Sequence, residues 1–572
     1  MQPMPTIKEF FAGDKCYTIP LYQRAYSWEK EQWDQFLADL EEVTRGGNDY
    51  YFGNVLLESM ENPKRIDIID GQQRITTILI FIRALHDVLE KQVNEGERLK
   101  DKPKGVFLSY LRDNFLVYYD VPKLKAVEYD NAYFQGIIIA NDKTMRQDPS
   151  TLSQERIKGA KDFFISRLKK YETSHILDLL QKVENARILY MEFTEKKDAV
   201  LMFELQNNRG KTLTHMERLL KSYLAYQIYT YSDQESAEER LKQIANIFED
   251  IYSMLNDLRT WDEDEILRFF NISCSKYGYD YNENDDNYNY KKELHDPKTS
   301  DKLAWIEAYI KELRNAFMDF KEFCNSTSPY KDFLLELNVV HVYPLVFKAC
   351  RIFRNNPNKL AFLEQVFKAL EVIAFRHKLI STRADLRRRL QEVLQNFTDA
   401  DFLTQGIKNI CEKDYYWTDE DVKNALAPEH CDDRWRKNTT MILARYENYL
   451  RGQRTRTKGY AFKLTDLDKP QIEHIAPQKE NNERLKSGYC TYDDDFYQQH
   501  YLNCIGNLLL IDGAHNVSIG NRAFSEKLES YKNSPLSQQR EIKNFAQDRW
   551  DKQAIKSRHV KIVEFVLATW SL

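Results

Sequence analysis

A chain of 572 residues, 42% hydrophobic and 30% charged, can build several cored domains, and no run in it approaches the ~20 apolar residues of a membrane span. The net charge of −5 carries no overall signature of nucleic-acid binding, yet it leaves room for a local basic groove. The eight cysteines are scattered without a CxxC pair, which argues for reduced thiols and against a zinc knuckle. The opening MQPMPTIKEFFAG lacks the basic-then-apolar order of a signal peptide, so a cytoplasmic location and no membrane partner are expected.

In chain order, IPLYQRAYSWEKEQWDQFLADL (19–40) gathers Pro20, Tyr22, Gln23, Arg24, Tyr26 and Trp28 ahead of a helical pattern. Such aromatics suit packing on the following helix, as Trp28 and Trp33 would. They equally suit holding a base by stacking and edge hydrogen bonds. Next, RIDIIDGQQRITTILIFIRAL (65–85) reads as a buried strand through Ile66, Ile68 and Ile69. A buried helix follows, with Ile75, Ile78, Leu79, Ile82 and Leu85 on one face. Asp70-Gly71-Gln72-Gln73-Arg74 lies between them. An Asp-Gly turn with Asp as helix cap accounts for part of this. A strand leaving through a glycine turn into a helix also aims free N–H groups at one point, and Arg74 in the first turn could reach an anion there. Thr76 and Thr77 fit helix capping as well. FELQNNRGKTLTHMERLLKSYL (203–224) again sets polar donors, Asn208 and Arg209, before a helix.

The middle is helical: 303–323, 359–380 and 384–397 carry apolar residues at helical spacing. Between them, the polar, Tyr/Asn-rich stretch 277–302 reads as an exposed loop or insertion. A helix over 435–450 leads into the basic RGQRTRTKGYAFK (451–463), and a His/Asn-rich α+β tail closes the chain. In that tail, QIEHIAPQKENN (471–482) precedes YLNCIGNLLLIDGAHNVSIGNRAFSEKL (501–528). A histidine on an apolar segment is commonly a satisfied core residue. Here, however, the set fits phosphodiester hydrolysis, which needs a base and a divalent cation. His474 suits the base, and Glu473 and Asn516 offer the hard oxygen ligands that Mg²⁺ prefers. Three parts are expected: a mixed α/β front (1–225), a helical middle (226–425) and a small tail domain (426–572).

IPLYQRAYSW, IIDGQQRITT and FELQNNRGKTLTHMERLLK together resemble the N-terminal domain of GmrSD-type modification-dependent (type IV) restriction enzymes, which is similar to the ParB/sulfiredoxin fold. The resemblance implies a nucleoside-triphosphate site formed by Asp70, Gly71, Gln72, Gln73 and Arg74, with Gln23, Arg24, Asn208 and Arg209 lining it or transmitting its state. Asp70 would then hold a metal or position water, and Arg74 would contact phosphate. The tail resembles the zinc-free HNH (ββα-metal) nuclease of the same family. Carried across, His474 matches the general base, Glu473 the acidic metal ligand (Glu in place of the usual Asp), and Asn507 the asparagine that orients loop and histidine. Asn516 matches the last metal ligand, with Asn521 or His515 as alternates, and Lys527 a position that could touch phosphate.

The expected fold class is therefore α+β multidomain and mostly helical. The expected cofactors are Mg²⁺ or Mn²⁺ and one of GTP, UTP, CTP or ATP. The expected partner is DNA, modified phage or host DNA, with homo-oligomerisation left open. Two other readings remain. One is a sensor of host phosphorothioate DNA that nicks invading DNA. The other is a ParB-like nucleotide switch that clamps nucleic acid through a front domain fused to an inactive tail.

Overall fold

The computed structural model describes residues 4–20, 23–46, 51–59, 65–141, 148–193, 214–216, 223–258, 260–413, 416–428, 436–454, 462–476, 489 and 499–572. The chain forms two compact units, Met1–Asn325 and Ser326–Leu572. The helical stretch expected as a separate middle is thus divided between them.

The first unit is built on a mixed five-stranded sheet. Its elements are β1 (Cys16–Thr18), α1 (Lys30–Gly46), β2 (Tyr51–Ser59), β3 (Arg65–Asp70), α2 (Gln72–Gln92), β4 (Leu124–Lys125), α3 (Leu152–Leu168), α4 (Thr173–Asn185) and β5 (Arg187–Phe193). The strand order is β4-β1-β3-β2-β5, with β1 parallel to β3 and β4, β2 antiparallel to β3, and β2 parallel to β5. β3 is central and covered on both faces, which is why its apolar residues run together rather than alternate. α2 is apolar round its middle, Ile78–Ile82, because that stretch is buried on every side, with Phe81 packed edge-on against Phe164 of α3 and Phe36 of α1.

Three further helices, α5 (Gln234–Leu255), α6 (Glu263–Cys274) and α7 (Lys302–Asn325), belong to this unit because they pack onto it. Tyr252 of α5 lies 5.9 Å from the Tyr129 ring, and Asp264 of α6 accepts from the backbone N–H of His215 and Met216 at 2.9 and 3.0 Å. The stretch 277–302, expected as an exposed loop, is instead tied down. Tyr281, Tyr290 and Leu294 are buried, and Tyr290 packs on Tyr223 with ring centroids 5.6 Å apart. Its tyrosines act as apolar anchors, which a polar composition conceals.

The second unit carries α8 (Lys359–Ile380) and α9 (Arg436–Arg454) among other helices. A short hairpin follows, β6 (Gln471–His474) antiparallel to β7 (Leu508–Ile511), and then α10 (Gly513–Ile519), α11 (Phe524–Lys532) and α12 (Lys552–Thr569). The hairpin region is not walled off from the helices. Arg376 of α8 donates to the carbonyls of Trp570 and Trp417 at 3.0 and 2.8 Å, and the Trp570 ring stacks on Phe375 at 3.6 Å. Glu447 of α9, fully buried, accepts from the backbone N–H of Ser537 and Gln538 at 2.8 and 2.9 Å, capping the short helix Ser537–Arg540. No described helix is long and apolar enough to cross a membrane.

Candidate functional site

In the first unit the chain leaves β3 at Asp70 and turns into α2 through Gly71, whose φ is +94°. A side chain there would be strained, and its Cβ would also sit 2.7 Å from Val55 Cγ2, so only glycine fits. The N-cap of α2 is Gly71, without a side-chain cap bond; Asp70, expected as the cap, is the last residue of the strand. The Asp70 side chain is half-buried and makes no hydrogen bond or ion pair among the described residues.

The rest of the motif turns inward. Gln72 Nε2 donates to Gln23 Oε1 at 3.2 Å, and Gln23 Nε2 donates to the Ile69 carbonyl at 2.7 Å. Gln73 accepts from Ser27 N–H at 2.7 Å and donates to the Ala25 carbonyl at 2.9 Å. Arg74 donates to the Phe52 carbonyl at 2.9 Å and to the Asn54 carbonyl, both on β2. It lies directly over Gly53, where a Cβ would collide with its guanidinium. Thr77 is no cap either: its hydroxyl donates to the Gln73 carbonyl at 2.8 Å and meets Tyr26 Oη, which also accepts from Trp33 Nε1 at 3.0 Å.

These bonds fix the extended segment 23–27, and that segment forms one wall of a cavity of about 490 Å³, a size suited to a small ligand. Arg24 and Ser27 line it, facing Ser153 and Arg156 of α3, Tyr252 of α5, and Trp261. Arg156 is paired with Glu29 at 2.6 Å. Sequence reasoning found Arg24 but missed Arg156 and Trp261, which lie more than a hundred residues downstream and carry no local signal. Asn208 and Arg209 lie outside the described residues.

In the second unit the hairpin pairs His474 with Leu508 and Glu473 with Leu509. Neighbours in a strand face opposite ways, and the two side chains separate accordingly. Glu473 is buried, and Lys527 of α11 donates to its carboxylate. Burial pushes the Glu473 pKa up, and the Lys527 charge opposes this only in part. Lys527, expected at phosphate, is itself buried and also donates to the carbonyls of His474 and Ile475 at 3.1 and 3.3 Å. Its three N–H bonds have three acceptors inside the fold, which corrects that expectation.

Asn507 is fully buried and spends its whole amide on the backbone and one indole. Its Oδ1 accepts from Ala476 N–H and Trp550 Nε1, both at 2.9 Å, and its Nδ2 donates to the carbonyls of Ala476 and Leu502 at 3.2 and 2.8 Å. It therefore pins the exit of β6 to the entry of β7. His474, at that exit, is half-buried, with Nε2 3.0 Å from Asn503 Oδ1. Asn516 of α10 donates to Gln471 Oε1 at 2.7 Å, whereas the Glu473 carboxylate takes Lys527. His515 meets Ser530 Oγ at 2.7 Å, burial pulls its pKa down, and Asn521 is exposed. Asn503 and the fully buried Arg558, which braces this region, were not foreseen; an arginine on an amphipathic helix looks like a solvent residue.

Both domains are those of restriction endonucleases. Residues 7–225 match the N-terminal domain of GmrSD restriction endonuclease and residues 416–565 match the C-terminal domain of GmrSD restriction endonucleases; the chain belongs to the GmrSD family. Its substrate class is accordingly DNA. No curated protein matches the chain.

Proposed function

We propose that His474 is the general base of DNA phosphodiester hydrolysis, in an HNH-like arrangement of β6, β7 and α10, and that the cavity beside Arg24 takes a nucleoside triphosphate that regulates cleavage. One observation carries the first part: a fully buried asparagine, Asn507, locks the backbone on which His474 stands, while the imidazole stays partly open to solvent. Such fixed presentation is what base catalysis needs and what a core histidine does not. The imidazole takes a proton from water as its oxygen adds to phosphorus, and the leaving oxygen departs with the electron pair of its bond to phosphorus and takes a proton from solvent. Mg²⁺ or Mn²⁺ fits the expected ligand pair poorly, because the Glu473 carboxylate is buried and already takes the Lys527 ammonium on Oε1, and no step is routed through a metal.

The cavity offers a nucleotide the Arg24 guanidinium for phosphate, Arg156 as a second that is shared with Glu29, and the Trp261 indole for the base, with Asp262 and Glu263 on the same lining. A triphosphate there would supply binding energy that biases one conformation of the first unit over another. Plasmid cleavage by wild type and His474→Ala, on modified and plain DNA, with each triphosphate in turn, tests the reading. Loss of cleavage with nucleotide hydrolysis retained is expected of the variant. Cleavage by His474→Ala at the wild-type rate would place the base elsewhere.

A further inference from the structure

We infer that Asn503 is the positioning residue that sets the tautomer and aim of His474, an inference that rests on the nuclease reading above. Asn507 holds the backbone around the histidine, but its amide is consumed by Ala476, Leu502 and Trp550 and makes none of its bonds to the imidazole. Among the described residues, Asn503 meets the ring, with Oδ1 3.0 Å from Nε2. An amide oxygen only accepts, so Nε2 carries the proton and the basic lone pair sits on Nδ1. The ring nitrogen that takes the proton from water is thereby fixed before substrate arrives.

Asn503 can do this because its own backbone stands on a braced segment. Its neighbour Cys504 is buried, with Sγ 3.2 Å from His559 Nδ1 of α12. Gly506 lies so close to α12 that a Cβ would collide with the Ile555 carbonyl and stand 2.9 Å from His559 Cβ. Arg558, fully buried on the same helix, donates to the carbonyls of Ile505, Gly506 and Leu508 at 3.2, 2.9 and 2.6 Å. The backbone that follows Asn503 is therefore held by a helix rather than left as a loose loop, which gives an orienting hydrogen bond its geometric value.

The test is plasmid-cleavage kinetics across pH with the full chain as wild type, His474→Ala, Asn503→Leu and Asn503→Asp, with a melting curve for each. Asn503→Leu should lower kcat by about 10- to 100-fold, the loss typical when a group orienting a functional histidine is removed, with KM unchanged. Asn503→Asp should keep cleaving, but with the acid limb of its pH profile moved to higher pH. A carboxylate facing Nε2–H stabilises the imidazolium, so the base forms later as pH rises. A merely structural asparagine would not move that limb, and the aspartate variant carries the test if the leucine variant does not fold. An unmoved limb in Asn503→Asp, or a wild-type kcat in Asn503→Leu, overturns the inference. If His474→Ala is inactive while both Asn503 variants behave as wild type, this inference alone fails. If His474→Ala cleaves normally, the nuclease reading fails and this falls with it.

Discussion

Lys527→Met separates the two roles that Glu473 can play. The side chains of Lys527 and Glu473 are 1% and 9% exposed, so removing the ammonium leaves a carboxylate in a nearly dry site. Breaking a buried ion pair from one side typically costs about 3–5 kcal/mol, whereas replacing both partners by apolar residues is often close to neutral. In a unit of this size each kcal/mol lowers the melting temperature by about 2–4 °C, which gives a fall of roughly 6–20 °C for Lys527→Met. Glu473→Leu/Lys527→Met should recover most of it. The single variant should also gain stability relative to wild type as the medium is acidified. Without Lys527 the folded state holds the Glu473 proton to still higher pH than the unfolded chain, so the penalty is present above that range and fades below it. Thermal melts of the full chain at two pH values, with metal titrations of Glu473→Gln alongside, are the assay. The reasoning fails if Lys527→Met melts with wild type, or if Glu473→Gln loses divalent-metal affinity without any loss of melting temperature. Either result would return Glu473 to the role of ligand.

Gly53→Ala should destabilise the first unit by about 2 kcal/mol, because Gly53 has φ +91° and its new Cβ would strike the Arg74 guanidinium. Melting measures this; a drop in triphosphate affinity at unchanged stability would show instead that Arg74 serves the ligand. Glu371 gives a pH signature. Burial outweighs Arg445, 3.1 Å away, and pushes its carboxyl from 4.5 up to about 7. The folded state thus binds a proton that the unfolded chain has lost, and stability falls as pH rises through that window, by about 1.4 kcal/mol per unit and roughly 3 kcal/mol in all. Denaturant midpoints at pH 5 and pH 7.5 should show this difference, and Glu371→Gln should reduce it; an equal slope in that variant would exclude Glu371 as its source.

Periodicity made the long elements legible. The helices expected over 303–323, 359–380 and 384–397 are found as Lys302–Asn325, Lys359–Ile380 and Leu386–Asn396, and the strand before the DGQQR turn ends at Asp70. Burial of one stripe dictates a repeat, and a repeat survives in one dimension. What could not be read were partners distant in sequence. Arg156 joins Arg24 across the cavity, and Arg558 reaches the carbonyls around Asn507 from a helix half a hundred residues on. Nor does composition reveal that Tyr281 and Tyr290 are buried in a stretch otherwise rich in Asp and Asn.

The same pattern holds in both units, and its cause is physical. A buried amide or charge left without a partner is penalised by a few kcal/mol, so a fold that buries one must specify the residue type, the spacing and the acceptor. A buried bracket therefore looks as specific in sequence as a ligand site does. Gln72, Gln73 and Arg74 are such brackets, holding segment 23–27 and strand β2, while Arg24 and Ser27 on the bracketed segment face the cavity. Lys527 and Asn507 are brackets too, gripping the backbone on either side of His474, while the ring itself is met by Asn503. In each unit the polar residues that stand out hold the wall, and on the proposed reading the chemistry falls to the neighbours they hold. Substitutions in the brackets should accordingly lower stability and activity together. Substitutions at Arg24, Asn503 or His474 should separate the two, and that separation is the criterion by which this arrangement stands or falls.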